Sequence, residues 1–211
     1  MGTENSYTTP QEEFWAGNFG SEYIGRNDSQ ELLASNLNFF TKALKQAGKV
    51  ESCLELGANI GMNLKALQLL YPGIDLRGAE INPDAAQQLG ALITPQNVFQ
   101  GSIFDLQVQK KVDLSLIKGV LIHINPDMLP IVYEKLYQAS NRLVLVCEYY
   151  NPSPVAISYR GHTDRLFKRD FAGEMLDRYQ DLKLVDYGFA YRRDPAFPQD
   201  DINWFLMEKR S

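Results

Sequence analysis

From Val50 onward, short apolar runs alternate with amphipathic stretches, and that alternation constrains the fold more than any other feature of the chain. VESCLEL (50–56), IDLRGAEI (74–81), NVFQGSI (97–103), KVDLSLIKGVLI (111–122) and RLVLVCEYY (142–150) read as buried strands. Between them, residues 61–71 carry Leu64, Leu67 and Leu70 at helical spacing, Pro83 opens a helix to about Leu92, and Pro126 opens one through about Ser140. Strands that are apolar almost throughout are expected when helices cover both faces of a parallel sheet. A helix at 168–179 follows, then two strands, LKLVDYGFAY (182–191) and INWFLMEK (202–209). Their short connection predicts an antiparallel pair.

The expected fold is α/β: a Rossmann-like seven-stranded sheet, mostly parallel with the last strand antiparallel, preceded by a helical N-terminal cap. Residues 1–48 form the cap or lid and 49–211 the main domain. A chain of 211 residues suits one such unit. Within the cap, residues 27–48 predict a helix with Asp28 as N-cap and Glu31 completing a capping box. Its apolar face is Leu33, Leu37, Phe40 and Leu44. Ahead of it, Trp15, Phe19 and Tyr23 are spaced by four, which puts them on one face of a helix. They either pack on the sheet or close over a ligand.

Chemistry concentrates where the first strand ends, at Glu55-Leu-Gly57-Ala-Asn59-Ile-Gly61. Two glycines after a buried strand and before a helix let a ligand approach the backbone and the helix N-terminus. A dinucleotide fingerprint needs further glycines where Asn59 and Met62 stand, which counts against a nicotinamide-dependent enzyme. The next strand ends in Glu80, a carboxylate able to accept ribose hydroxyls. Gly101-Ser102-Ile103 and Lys118-Gly119-Val120 end the third and fourth strands. All four segments lie at carboxyl ends of strands, where open α/β sheets bind ligands.

E-x-G-x-x-x-G resembles motif I of the class I S-adenosylmethionine-dependent methyltransferases. That resemblance implies S-adenosylmethionine as cofactor, with Glu55, Gly57, Asn59 and Gly61 at its methionine and ribose portions. Glu80 and Ile81 would serve the ribose, Ser102 and Ile103 the adenine, and Lys118, Gly119 and Val120 the methyl-donor pocket. Tyr23 and Arg26 are candidates for the methionine carboxylate. Three further stretches, EEFWAGNFGSEYIGRN (12–27), EYYNPSPVAISYRGHTDRLFKRDFAGEML (148–176) and DYGFAYRRDPAFPQDDINWFLMEK (186–209), join LELGANIGMNL (54–64) in a closer resemblance. They are similar to the methylases associated with pseudaminic acid biosynthesis. This implies a small acceptor, a sugar acid or nucleotide-sugar, from nonulosonic acid or surface-glycan metabolism.

Methyl transfer needs alignment of the acceptor and exclusion of water, with a base only where the acceptor loses a proton. His123, His162 and Tyr149 are the candidates for catalysis, and Tyr150, Asn151 and Arg160 for acceptor binding. His123 also fits as a residue capping the next helix, and His162 as a turn residue. Glu148, a charge ending an apolar strand, calls for a partner or ligand. Eight cations lie between Arg160 and Arg193 with six acids interleaved. Most read as solvated, but some can meet an anionic acceptor. Asp200 and Asp201 either face the pocket or blunt an edge strand.

The net charge of -5 argues against binding nucleic acid or an anionic membrane. Residues 1–100 hold 6 basic and 11 acidic groups, and residues 101–211 hold 15 of each, so the acceptor half carries no acidic excess. No N-P-P-aromatic motif follows the fourth strand, which disfavours base methylation. Cys53 and Cys147 lie in apolar runs and read as reduced core thiols of a cytoplasmic protein. Two histidines and two cysteines make a metal site improbable. The N-terminus lacks a basic and then apolar leader pattern. An S-adenosylmethionine-binding scaffold without turnover is the competing reading.

Overall fold

In the computed structural model, which describes residues 7–25, 28–157 and 166–210, the alternation becomes one twisted sheet with helices on both faces. The parallel strands are β1 (Ser52–Leu56), β2 (Asp75–Glu80), β3 (Val98–Gln100), β4 (Val112–Lys118) and β5 (Ser140–Glu148). Two strands of the same sheet close the chain, here β8 (Leu182–Ala190) and β9 (Ile202–Lys209). The order across the sheet is β3-β2-β1-β4-β5-β9-β8. β9 inserts between β5 and β8 and runs antiparallel to both. Between them in sequence, β6 (Val155–Ala156) and β7 (Phe167–Lys168) pair as a separate short ribbon.

The reversal from β1 to β4 puts neighbouring connections on opposite faces and opens a crevice at the strand ends. Helices α4 (Met62–Leu70), α5 (Pro83–Ile93), α6 (Leu129–Ala139) and α7 (Phe171–Arg178) flank the sheet. Two apolar layers result. Leu64, Leu67, Leu89, Leu116 and Trp204 share one face, and Leu56, Ile117, Leu136, Val146 and Met207 the other. Removing one such side chain costs about 2–5 kcal/mol.

The N-terminal segment departs from its expected form in two places. The aromatic stretch is two helices, α1 (Pro10–Ala16) and α2 (Asn18–Ile24), broken at Gly17, whose backbone is extended. A capping box does occur, but at Thr9 and Glu12 in front of Pro10, not at Asp28 and Glu31. The helix α3 (Gln30–Ala43) takes Ser29 as N-cap, with its hydroxyl accepting from the Leu32 N–H. Starting the helix one residue later removes Glu31 from the box position. Phe39 and Phe40 of α3 are completely buried and belong to the same apolar layer as β1 and β4. A third departure is local: Pro126–Met128 is a tight 3-10 turn that precedes α6, which begins at Leu129. No helix among the described residues is long and apolar enough to cross a membrane.

Candidate active site

A cavity of about 510 Å³ lies at the carboxyl ends of β1, β2 and β4. Its floor consists of the loops that follow those strands and the turn after β3. Gly57, Asn59, Glu80, Ile81, Ser102, Ile103, Lys118, Gly119 and Val120 all line it. Sites for small organic molecules have this size and placement.

The first loop folds as it does because Gly57 has φ +75°, and a Cβ there would lie 2.5 Å from Val120 Cγ2. Glycine thus lets the β1 loop rest directly on the β4 loop. Asn59 is left-handed as well, at φ +49°. Its N–H donates to Glu80 Oε2 at 2.7 Å, and the Asn82 N–H donates to Oε1 at 2.8 Å. Burial pushes the Glu80 carboxyl above its usual range, while N–H donors from Asn82, Asn59 and Ile81 oppose that shift. Glu80 therefore ties the ends of β1 and β2 together and still faces the cavity. Gly61 has a different duty. At φ +88°, its missing Cβ makes room for Leu89 and Leu92 of α5, and it does not line the cavity.

Two carboxylates support the site from beneath. Glu55 is completely buried on β1, outside the cavity, and accepts from Asn63 Nδ2 at 2.6 Å. Burial raises its pKa to about 8, opposed by the Asn63 hydrogen bond and the Lys118 charge. Glu148, at the end of β5, accepts from the Val120 and Leu121 N–H groups at 2.8 and 2.7 Å. The partner expected of that strand-end charge is thus the backbone of the turn after β4. Burial raises the Glu148 pKa to about 7. Lys118 lines the cavity, with its ammonium 5.5 Å from the centre of the Phe39 ring.

The roof comes from α1 and α2, through Trp15, Gly20 and Tyr23. Trp15 is the hub of this roof: its ring centre lies 5.2 Å from Phe19, 5.3 Å from Tyr23 and 4.8 Å from His123. The aromatic cluster survives the break at Gly17 because α2 folds back beside α1. A Cβ at Gly20 would lie 1.9 Å from the Trp15 carbonyl oxygen, so the two helices meet without room for a side chain. Asn82 pins them down. Its Nδ2 lies 3.3–3.4 Å from the carbonyls of Trp15, Ala16 and Gly17, and 3.2 Å from Ser21 Oγ. Ser21 in turn donates to Asp84 at 2.7 Å.

His123 and Tyr149 line the same cavity as the strand-end residues. Tyr150 points away: it is 42% exposed and lies 6.0 Å from Phe205, ring to ring. Asn151 donates to the Ser153 carbonyl and does not line the cavity. Arg26, Arg160 and His162 lie outside the described residues. Asp200 lines the cavity, whereas Asp201 pairs with Arg192. Sequence reasoning missed Asn82, Asn63 and the buried Asn36–Gln199 pair, whose amides meet at 3.0 Å. Only Asn82 carried a signal, as an N-cap asparagine ahead of Pro83.

No family model matches the chain, and no curated protein matches its sequence. Solved structures do match. A Burkholderia thailandensis 1,6-didemethyltoxoflavin-N1-methyltransferase with bound S-adenosylhomocysteine is similar at 15% identity and a TM-score of 0.69, over 99% of this chain and 94% of that one. The magnesium protoporphyrin IX methyltransferase of Synechocystis, also with S-adenosylhomocysteine, is similar at 11% identity and a TM-score of 0.65, over 94% and 98%. The mitomycin 7-O-methyltransferase is similar at 13% identity and a TM-score of 0.67; the match takes in 96% of this chain but only 61% of that enzyme. Shared topology over nearly the whole chain gives this protein the fold of the class I S-adenosylmethionine-dependent methyltransferases.

Proposed function

We propose that this chain is an S-adenosylmethionine-dependent methyltransferase acting on a small, anionic, sugar-related acceptor, of the nonulosonic acid or surface-glycan kind. The observation that carries the reading is the placement of Gly57, Glu80, Ser102 and Gly119 around one cavity at the strand ends. The residues suit the cofactor. The Glu80 carboxylate accepts from backbone N–H groups and keeps acceptor capacity for a ribose hydroxyl. Gly119, at φ +68° with nothing within 4 Å of its absent Cβ, leaves open the space beside Lys118. Ser102 and Ile103 offer one polar and one apolar contact for adenine. Bound here, the cofactor supplies a methyl group already activated on a sulfonium.

The chain's own contribution is then to align the acceptor, exclude water and accept a proton. Trp15 and Tyr23 shield the cavity from solvent. His123 and Tyr149 line the same cavity and are the candidates to receive the acceptor's proton. The acidic excess of the first half suits a cationic cofactor. A cytoplasmic setting agrees with the free, buried thiols of Cys53 and Cys147.

Calorimetric titration with S-adenosylhomocysteine tests the cofactor half of the reading. Binding that is lost in Glu80→Gln supports it, and no binding by the wild-type protein refutes it. Product detection with nonulosonic acids and nucleotide-sugars tests the second half. Methylated product that depends on His123 supports turnover, whereas tight cofactor binding with no product supports a scaffold.

A further inference from the structure

The cations that follow β5 are mostly used up within the chain. Arg169 pairs with Glu174, Arg192 with Asp201, and Lys183 donates to the Gln180 carbonyl. Lys168 is different. It lines the cavity, and its ammonium lies 5.1 Å from the centre of the Tyr149 ring. Among the described residues no carboxylate lies within ion-pair distance of it. Three acids among those residues line the cavity: Glu12 accepts from the N–H and hydroxyl of Thr9, Glu80 is held by backbone amides, and Asp200 makes no ion pair with Lys168.

The position of Lys168 is built by the short ribbon. Val155 pairs with Lys168 in register, the Ile157 N–H donates to the Leu166 carbonyl at 2.8 Å, and β7 packs against the Leu121–His123 turn. Ile157 and Leu166 of the same ribbon line the cavity as well. A half-buried cation with an aromatic face on one side and, among the described residues, no anion in ion-pair reach is a group suited to binding one.

We propose that Lys168 is the anion-binding residue of the acceptor site, holding a carboxylate or phosphate of the acceptor beside His123 and Tyr149. The proposal rests on the methyltransferase reading for the reaction, but it concerns a binding event that can be measured separately. It makes Lys168 a specificity-determining residue.

The test uses the full chain with S-adenosylhomocysteine bound, and the variants Lys168→Met and Lys168→Arg. The probes are N-acetylneuraminic acid for the carboxylate, its methyl ester as the neutral control, and UDP-N-acetylglucosamine for the phosphate. One anionic probe is expected to bind the wild-type protein, to bind Lys168→Met at least tenfold more weakly and to be rescued in Lys168→Arg. The anion that shows this pattern identifies the source. The methyl ester should bind the wild type and Lys168→Met alike. Equal affinity of the wild type and Lys168→Met for both anions overturns the proposal, as does failure of both to bind the wild type while S-adenosylhomocysteine still does. Failure of S-adenosylhomocysteine itself overturns the methyltransferase reading instead.

Discussion

The side-chain amide of Asn82 donates to the backbone carbonyl of Trp15 at 3.4 Å, across 67 residues of chain. The same residue's N–H donates to Glu80, and its Oδ1 caps α5 through the Asp84 and Ala85 N–H groups. One buried side chain therefore joins the roof, the strand-end carboxylate and the first turn of a helix.

Asn82→Asp separates these duties. The aspartate keeps the cap acceptor but turns an oxygen toward three carbonyls and so releases α1 and α2. Each lost hydrogen bond is worth about 1 kcal/mol, so S-adenosylhomocysteine affinity should fall about five- to thirtyfold. Cleavage within residues 10–25 under limited proteolysis should accelerate. Ser21→Ala, which removes the hydroxyl's links to Asp84 and Asn82 but leaves the three carbonyl contacts, should show a smaller change in the same direction.

Glu55 makes stability depend on pH in a defined direction. Its folded pKa, about 8, lies above the usual carboxylate value of 4.5, so the folded state holds a proton that the unfolded state releases. By linkage its contribution is fully present below pH 4.5 and is lost as pH rises to about 8. Glu55→Gln retains an acceptor for Asn63 and does not ionise. Thermal melts should show the variant gaining stability relative to wild type between pH 5 and pH 8.5. A constant difference across that range would contradict the assignment.

Gly57 and Gly61 share the left-handed region but serve different contacts. Gly61→Ala places a Cβ 2.7 Å from Leu89 Cδ1, at a φ that alanine disfavours, and should cost about 1–3 kcal/mol in urea melts. Affinity for S-adenosylhomocysteine should be unchanged in the folded protein. Gly57→Ala strikes Val120 instead and alters the cavity floor, so it should lose both stability and affinity.

Asn36 and Gln199 hold α3 to the loop before β9 by a buried amide pair. Asn36→Leu leaves the Gln199 amide without its acceptor at the buried wall of the cavity, a loss of about 1–3 kcal/mol. The double variant with Gln199→Leu should recover part of that loss, which a double-mutant cycle would measure.

The strands and helices from Val50 onward were legible because apolar period and proline position are local properties. The N-terminal caps were harder. Thr9 and Ser29 win over Asp28 because the cap is set by where the entering chain turns extended, which depends on what the helix packs against. The aromatic spacing at 15, 19 and 23 did foretell a cluster, but not the break at Gly17, which follows from seating α2 on Asn82.

By itself, then, the sequence determined the α/β architecture and the run of candidate residues after the strands, since each lies next to its own strand end. Tertiary structure decided which of them reach the cavity. Glu55 and Gly61 belong to the same motif as Gly57, yet one is buried under the loop and the other packs on α5, because Glu55 still lies within β1 whereas Gly61 is already the left-handed cap of α4. It also decided the contacts of Asn82, Trp15 and Lys168, because only folding brings a hydrogen-bond donor, an aromatic ring and an ammonium from separate parts of the chain to the same pocket.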